Sequence, residues 1–276
     1  ERWLPLTSSE AGKSRSPVEI FPNKVDVDMY PDGILGHLFN KPNRNILFQQ
    51  GRKNIIANHL NIPIEKVFQI EHHRCHAAYS YYASPFRGEN VLALTIDGSG
   101  DGLNATVGIF DENGAYRRQY QTSECNIGRI YRYMTLLLGM KPNEHEFKVM
   151  GLAPYGKEKF AQKALEVFRS TLFVDGIEFK WHEKPTDSYF WFKQRLEGVR
   201  FDNIAYALQT WVEELLTEWV TNNIRKFGIG KVVIAGGVAM NIKAMGKISS
   251  LSCVENIFIG GSASDESTAI GAAICL

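Results

Sequence analysis

Several absences shape the reading of this 276-residue chain. Its four cysteines, Cys75, Cys125, Cys253 and Cys275, never form a C-x-x-C pair, so neither a thiolate zinc site nor a disulfide framework is indicated. Reduced thiols in a cytoplasmic protein are the expectation. No run of about 18 apolar residues is found, so no membrane span is expected. Excess charge is missing as well. The 31 Lys and Arg against 30 Asp and Glu leave a net charge of +1, without the bulk electrostatics of a nucleic-acid or membrane-surface binder. The N-terminus shows no signal-peptide pattern. It opens at Glu1-Arg2 without an initiator Met, so the chain is expected to begin inside a longer parent. The remaining composition, 44% hydrophobic and 22% charged, is that of a soluble globular protein, long enough for one large domain or two lobes.

Along the chain, residues 1–35 are polar and irregular, with a loop-like run from Ser8 to Pro17. A helix is expected near Asn54–Leu60 and a short strand at Val67–Ile70. V-L-A-L-T-I from Val91 is a buried strand ending in the glycine turn D-G-S-G-D-G. A-T-V-G-I-F and A-Y-R-R-Q-Y follow as further strands of a β-meander. Arg129–Gly139 and Phe160–Thr171 read as helices, with the loop or short helix H-E-F-K-V-M-G-L-A-P-Y-G between them. The aromatic-rich stretch from Val174 to Arg200 resists assignment. A long amphipathic helix follows, with Asp202 as its expected cap. Then come the strand K-V-V-I-A, the turn G-G-V-A-M-N, a helix over Asn241–Ile248, the strand I-F-I and a small-residue helix. The second part is therefore an α/β layout.

Five places carry possible chemistry. His72 and His76 are four residues apart, which on a helix puts both rings on one face; this is the spacing of two-histidine metal sites and equally of a hydrogen-bonded buried pair. His73 points away from that face and is read as a structural residue or as one that supports the ligands. Asp97 ends a buried strand just before Gly98, Ser99 and Gly100, where backbone N–H groups can cradle phosphate, although Asp-Gly also marks an ordinary hairpin turn. Gly236, Gly237 and Asn241 lie between a strand and a helix, where α/β sites gather, but a tight connection reads the same way. Asp265 opens the last helix as a ligand or an N-cap. Lys148 is a phosphate contact or a solvated surface lysine.

The order of these segments resembles the NodU/CmcH-type O-carbamoyltransferases. The matching stretches are E-H-H-R-C-H-A-A-Y-S-Y-Y-A-S-P-F, L-T-I-D-G-S-G-D-G, E-F-K-V-M-G-L-A-P-Y-G, I-A-G-G-V-A-M-N-I-K-A-M-G-K-I and D-E-S-T-A-I-G-A-A, from Glu71 to Ala273. The wider kinship is with tRNA threonylcarbamoyl transferases. The resemblance implies an α/β, actin-like (ASKHA) two-lobed fold with RNase H-like lobes. Residues 1–88 would form a partial first lobe carrying H-x-x-x-H, and residues 89–276 a second lobe with the phosphate loop and the nucleoside-binding turn. The family's opening hairpin is not evident before Glu71, and its YrdC-like C-terminal domain is absent from this chain.

The same resemblance implies a divalent metal, Fe(II) first with Mn or Zn as alternatives, held by His72, His76, Asp97 and Asp265. Gly98, Ser99 and Gly100 would wrap phosphate, and Gly236, Gly237 and Asn241 would contact the nucleoside of ATP or carbamoyl-adenylate. Lys148 would polarise a carbamoyl or phosphate oxygen, and His73 would handle the acceptor's proton. The implied activity is transfer of a carbamoyl group, made from carbamoyl phosphate and ATP on a YrdC-like domain, to a hydroxyl of a small, sugar-containing acceptor. The alternatives are a tRNA threonylcarbamoyl transferase-like enzyme and a non-catalytic nucleotide- and metal-binding module. Neither nucleic acid nor membrane is an expected partner. Tyr189, Phe190, Trp191 and Phe192 are read as part of an acceptor wall or, equally, as core packing.

Overall fold

A computed structural model describes residues 44–185 and 187–276; the loop read at Ser8–Pro17 lies outside the described residues. The chain separates into compact units at 1–71 and 72–276. In the first, helix α1 spans Arg44–Leu60 and a 3-10 turn spans Ile64–Lys66. The strand expected at Val67–Ile70 is not formed, and those residues are irregular. The boundary expected at residues 88–89 falls inside the second unit, so the histidine segment packs with the sheet that follows it.

The second unit opens with α2 (His72–Ala83), then β1 (Val91–Gly100), β2 (Leu103–Phe110) and β3 (Tyr116–Thr122). Helices α3 (Ile127–Leu137), α4 (Glu146–Leu152) and α5 (Glu158–Arg169) follow, then the hairpin β4 (Leu172–Asp175) and β5 (Glu178–Trp181). The chain continues through α6 (Ser188–Arg195), α7 (Phe201–Phe227), β6 (Lys231–Ala235), α8 (Ile242–Ser249), β7 (Asn256–Ile259) and α9 (Glu266–Ile274). The main sheet has the order β3-β2-β1-β6-β7. β1 pairs antiparallel with β2 and parallel with β6, and is thus central to a mixed sheet.

Central placement explains why V-L-A-L-T-I is apolar without interruption: both faces of β1 are covered. Side chains alternate across a strand, so Leu92, Leu94 and Ile96 pack into the large core with Trp211, Leu208 and Ile130 of the α3 and α7 side. Val91 and Ala93 face the other way, against Ala77 and Tyr81 of α2 and Val233 of β6. Each buried Leu or Ile contributes about 1.5–3 kcal/mol. The same alternation continues to Thr95 and Asp97, which therefore point toward α2.

α7 is 27 residues long, and its apolar steps bury Trp211, Val212, Leu215, Leu216 and Trp219. Its N-cap is Arg200, not Asp202. Asp202 sits in the first turn, where its carboxylate accepts from Asn203 N (2.9 Å) and pairs with Arg200 (2.9 Å). The unassigned aromatic stretch is the β4–β5 hairpin followed by α6, which is capped by Asp187 accepting from Phe190 N at 3.0 Å. Tyr189 and Phe192 are buried, with the Phe192 ring 5.1 Å from Phe168. These two therefore pack the interior and do not wall an acceptor pocket. Among the described residues, no helix is long and apolar enough to cross a membrane.

Candidate metal centre

The centre is built where α2 begins, β1 ends and α9 begins. α2 starts at His72, whose backbone N–H donates to the Asp101 carboxylate at 2.9 Å. Asp101 comes from the turn after β1, so one side chain ties the helix start to the strand end and places negative charge at a helix N-terminus. Four residues on, one helical turn later, His76 presents its ring on the same face. The two Nε2 atoms are 3.0 Å apart.

β1 brings Asp97 to that face. Its Oδ2 is 2.9 Å from His72 Nε2 and 3.5 Å from His76 Nε2. Its Oδ1 accepts from two backbone amides, Gly98 N at 2.6 Å and Gly237 N at 3.2 Å. One carboxylate oxygen is thus held by the protein and the other is turned to the imidazoles. Asp265 arrives from the start of α9. It occupies the N-cap position there but makes no capping bond. Its Oδ1 instead lies 3.4 Å from His72 Nε2 and 3.6 Å from His76 Nε2. The His76 side chain is fully buried and that of Asp265 is 69% exposed, so the cluster is open on the Asp265 side.

The four donor atoms all lie within 4.8 Å of one another. Donors about 2.0–2.2 Å from one ion stand roughly 3–4.4 Å apart, so these separations fit a common centre. Two carboxylates with two neutral imidazoles carry −2, the complement of a divalent cation. The set fits Fe(II), Mn(II) or Zn(II) alike. Electrostatics agree with the geometry. Burial pushes the Asp97 carboxyl up, but hydrogen bonds from His72, His76 and the Gly98 amide outweigh it and hold the group well below the usual carboxylate range. Burial pushes His76 down, but Asp265 and Asp97 outweigh it and raise its pKa.

The glycines have duties beyond those read from sequence. Gly98 spends its N–H on Asp97, and Gly100 makes room for a ring: a Cβ there would lie 2.0 Å from His72 Cδ2. Ser99 is exposed. Gly236 has φ +102°, and a Cβ on it would meet Ile96 O at 2.1 Å, so only glycine lets the β6 turn cross the end of β1 and deliver Gly237 N–H to Asp97. The Asn241 side chain is engaged too. Its Oδ1 caps α8 by accepting from Ala244 N (3.1 Å), and its amide pairs with Gln209 at 2.9 and 3.0 Å.

His73 requires a correction. It is fully buried, and its Nδ1 lies 2.8 Å from Thr95 Oγ1, which in turn meets Thr106 Oγ1 at 2.6 Å. It joins α2 to the sheet interior, so it is not positioned to handle an acceptor's proton. Lys148 is exposed on α4, its Nζ 2.9 Å from His145 Nε2, and it makes no ion pair with the cluster among the described residues. Two residues go beyond the sequence reading. Asp101 was visible as the second aspartate of D-G-S-G-D-G. Ser267, whose Oγ is 3.3 Å from His76 Nδ1, stands 191 positions from its partner, and no local pattern announces it.

Comparison with known proteins fits this picture. The family model for the carbamoyltransferase N-terminus matches residues 27–274. The uncharacterized protein MJ1058 of Methanocaldococcus jannaschii is 29% identical over 259 residues, covering 84% of this chain and 42% of that protein. Nodulation protein NolNO of Sinorhizobium fredii is 27% identical over 211 residues, covering 75% of this chain and 31% of that protein. The chain therefore spans less than half the length of either relative. Among solved structures, HypF of T. kodakarensis matches with a TM-score of 0.50 at 16% identity, over 86% of this chain and 39% of that one, a likeness of fold. The fold is the actin-like α/β type, and the chain belongs to the carbamoyltransferase N-terminus family.

Proposed function

We propose that this chain is the transferase part of an O-carbamoyltransferase, acting with a divalent metal held by His72, His76, Asp97 and Asp265. The observation that carries this reading is the convergence of those four donors, drawn from positions 72 to 265, in a chain of the carbamoyltransferase family. The donor is carbamoyl-adenylate, made from carbamoyl phosphate and ATP by a YrdC-like domain of a longer parent. The acceptor is a small molecule with a free hydroxyl, of the sugar class. The acceptor oxygen forms a bond to the carbamoyl carbon, the bond from that carbon to the phosphate oxygen breaks, AMP departs, and the hydroxyl proton goes to solvent or to a base. When bound, the metal supplies Lewis acidity for the charge that develops on the carbonyl and phosphate oxygens.

The chain's own residues prepare that site. The Gly98 and Gly237 amides orient Asp97, and exposed Ser99 is left to meet phosphate beside it. Lys148 is assigned to a phosphate or carbamoyl oxygen of the donor. The balanced charge of the chain, +1, favours a small acceptor over tRNA.

The first test is elemental analysis of purified protein. Wild type is expected to hold close to one metal per chain, and His72→Ala and Asp265→Ala to lose it. Metal that persists in both variants would sink the site. With synthetic carbamoyl-adenylate supplied, AMP release dependent on a hydroxyl acceptor is expected from wild type. Asp97→Asn should reduce it at least about 100-fold, the scale of losing one transition-state-stabilising group.

A further inference from the structure

We propose that Ser267 is a positioning residue of the metal centre, which sets His76 in the tautomer that turns an unprotonated Nε2 toward Asp97 and Asp265. This rests on the metal reading of the cluster. A serine hydroxyl has one hydrogen. Ser267 Oγ is 2.7 Å from Ser264 O, a carbonyl that only accepts, so the hydrogen is used there. Toward His76 Nδ1, 3.3 Å away, Oγ has only lone pairs to offer. Nδ1 must then carry the proton, and in the neutral ring Nε2 is left bare. Nε2 is the atom that faces His72, Asp97 and Asp265. The contact is sealed from water, since Ser267 is 1% exposed and His76 is fully buried.

The placement of Ser267 is itself enforced by packing. Gly271 lies one helical turn further along the same face of α9. A Cβ on Gly271 would sit 2.0 Å from Cys75 O and 2.8 Å from Cys75 Cα, so α9 rests directly on the backbone of α2 beside His76. α9 thus supplies both a ligand, Asp265, and the group that orients another. Metal-bound histidines commonly have their second nitrogen held in this way, and loss of the partner typically weakens metal binding about 10- to 100-fold.

The test titrates Zn(II) calorimetrically into metal-free wild type, Ser267→Ala and Ser267→Thr, with the imidazole ¹⁵N spectrum of the zinc-loaded wild type as a second readout. The expected result is about 10- to 100-fold weaker zinc binding by the alanine variant, affinity near wild type for the threonine variant, which keeps the hydroxyl, and a protonated Nδ1 on His76. Equal affinity of wild type and Ser267→Ala, equal weakening by alanine and threonine, or a protonated Nε2 overturns the role of Ser267 while leaving the metal centre standing. A wild type that binds no zinc overturns both. If the alanine variant fails to fold, the wild-type spectrum decides alone.

Discussion

At the scale of residues, Asp97 and His76 are a pair whose ionisation the fold has biased in opposite senses. The Asp97 carboxyl is held down, against its burial, by His72, His76 and the Gly98 amide. Unfolded, it titrates near about 3.9, so its stabilising contribution is complete above that and is lost as pH falls toward the folded value. His76 is raised, against its burial, by Asp265 and Asp97. Its contribution to the metal-free protein is complete below the unfolded value of about 6.5 and is lost as pH rises through the folded one. The melting temperature of metal-free protein is therefore expected to fall as pH rises above about 6.5. Metal affinity should climb over the same range, because the proton on His76 must leave before a cation enters. Melting curves of wild type and His76→Gln across pH check this; identical slopes would assign the effect to another group.

At the scale of elements, three ends meet: the N-terminus of α2, the C-terminal end of β1 and the N-terminus of α9. Asp101 fastens the first two by accepting the His72 N–H. Asp101→Ala should cost about 0.5–2 kcal/mol, as removal of a helix cap does, read as a lower urea midpoint at unchanged slope. It should also weaken metal binding, since His72 is the residue released. The β6 turn is a second fastening. Gly236→Ala sets a methyl against Ile96 O and removes the positive φ that the turn needs, so both stability and the Gly237-to-Asp97 hydrogen bond are expected to suffer. A variant that melts like wild type and retains metal would contradict that account.

At the scale of the whole molecule, the cluster joins the first helix of the second unit to its last helix beside the end of the central strand β1. A ligand that binds only the folded state stabilises it by about 2.7 kcal/mol at 100 times its Kd. For a unit of this size that is roughly a 5–10 °C rise in melting temperature. Zn(II) or Mn(II) should produce such a rise in wild type, a chelator should reverse it, and His76→Gln should abolish it. The same shift in wild type and variant would place metal binding elsewhere on the chain.

How much of this was legible beforehand depends on the distance over which each feature is encoded. The buried strand at Val91, the β-meander and the long helix that begins at Phe201 were readable from alternation and helical spacing, which are local patterns; the grouping of His72, His76, Asp97 and Asp265, whose donor atoms the fold brings within 4.8 Å, was implied only by the family resemblance. The strand expected at Val67–Ile70 failed because four apolar-leaning residues found no partner strand. The cap expected at Asp202 failed because the helix begins at Phe201, with Arg200 at the N-cap and Asp202 already in the first turn. The aromatic run at Tyr189 reads equally as a binding wall or as core, and helix geometry turns Tyr189 and Phe192 inward, a choice set by what packs beneath them. Local sequence thus placed these side chains on their elements, a helix start for the histidines, a strand end for Asp97 and a helix start for Asp265. Only the tertiary structure decided that Gly98 and Gly237 serve Asp97, that Gly100 makes room for His72, and that Ser267 reaches His76. Apart from the Gly98 amide, which is next to Asp97 in the chain, those relations join residues 28 to 191 positions apart, and they exist only because the fold brings β1, α2, the β6 turn and α9 together.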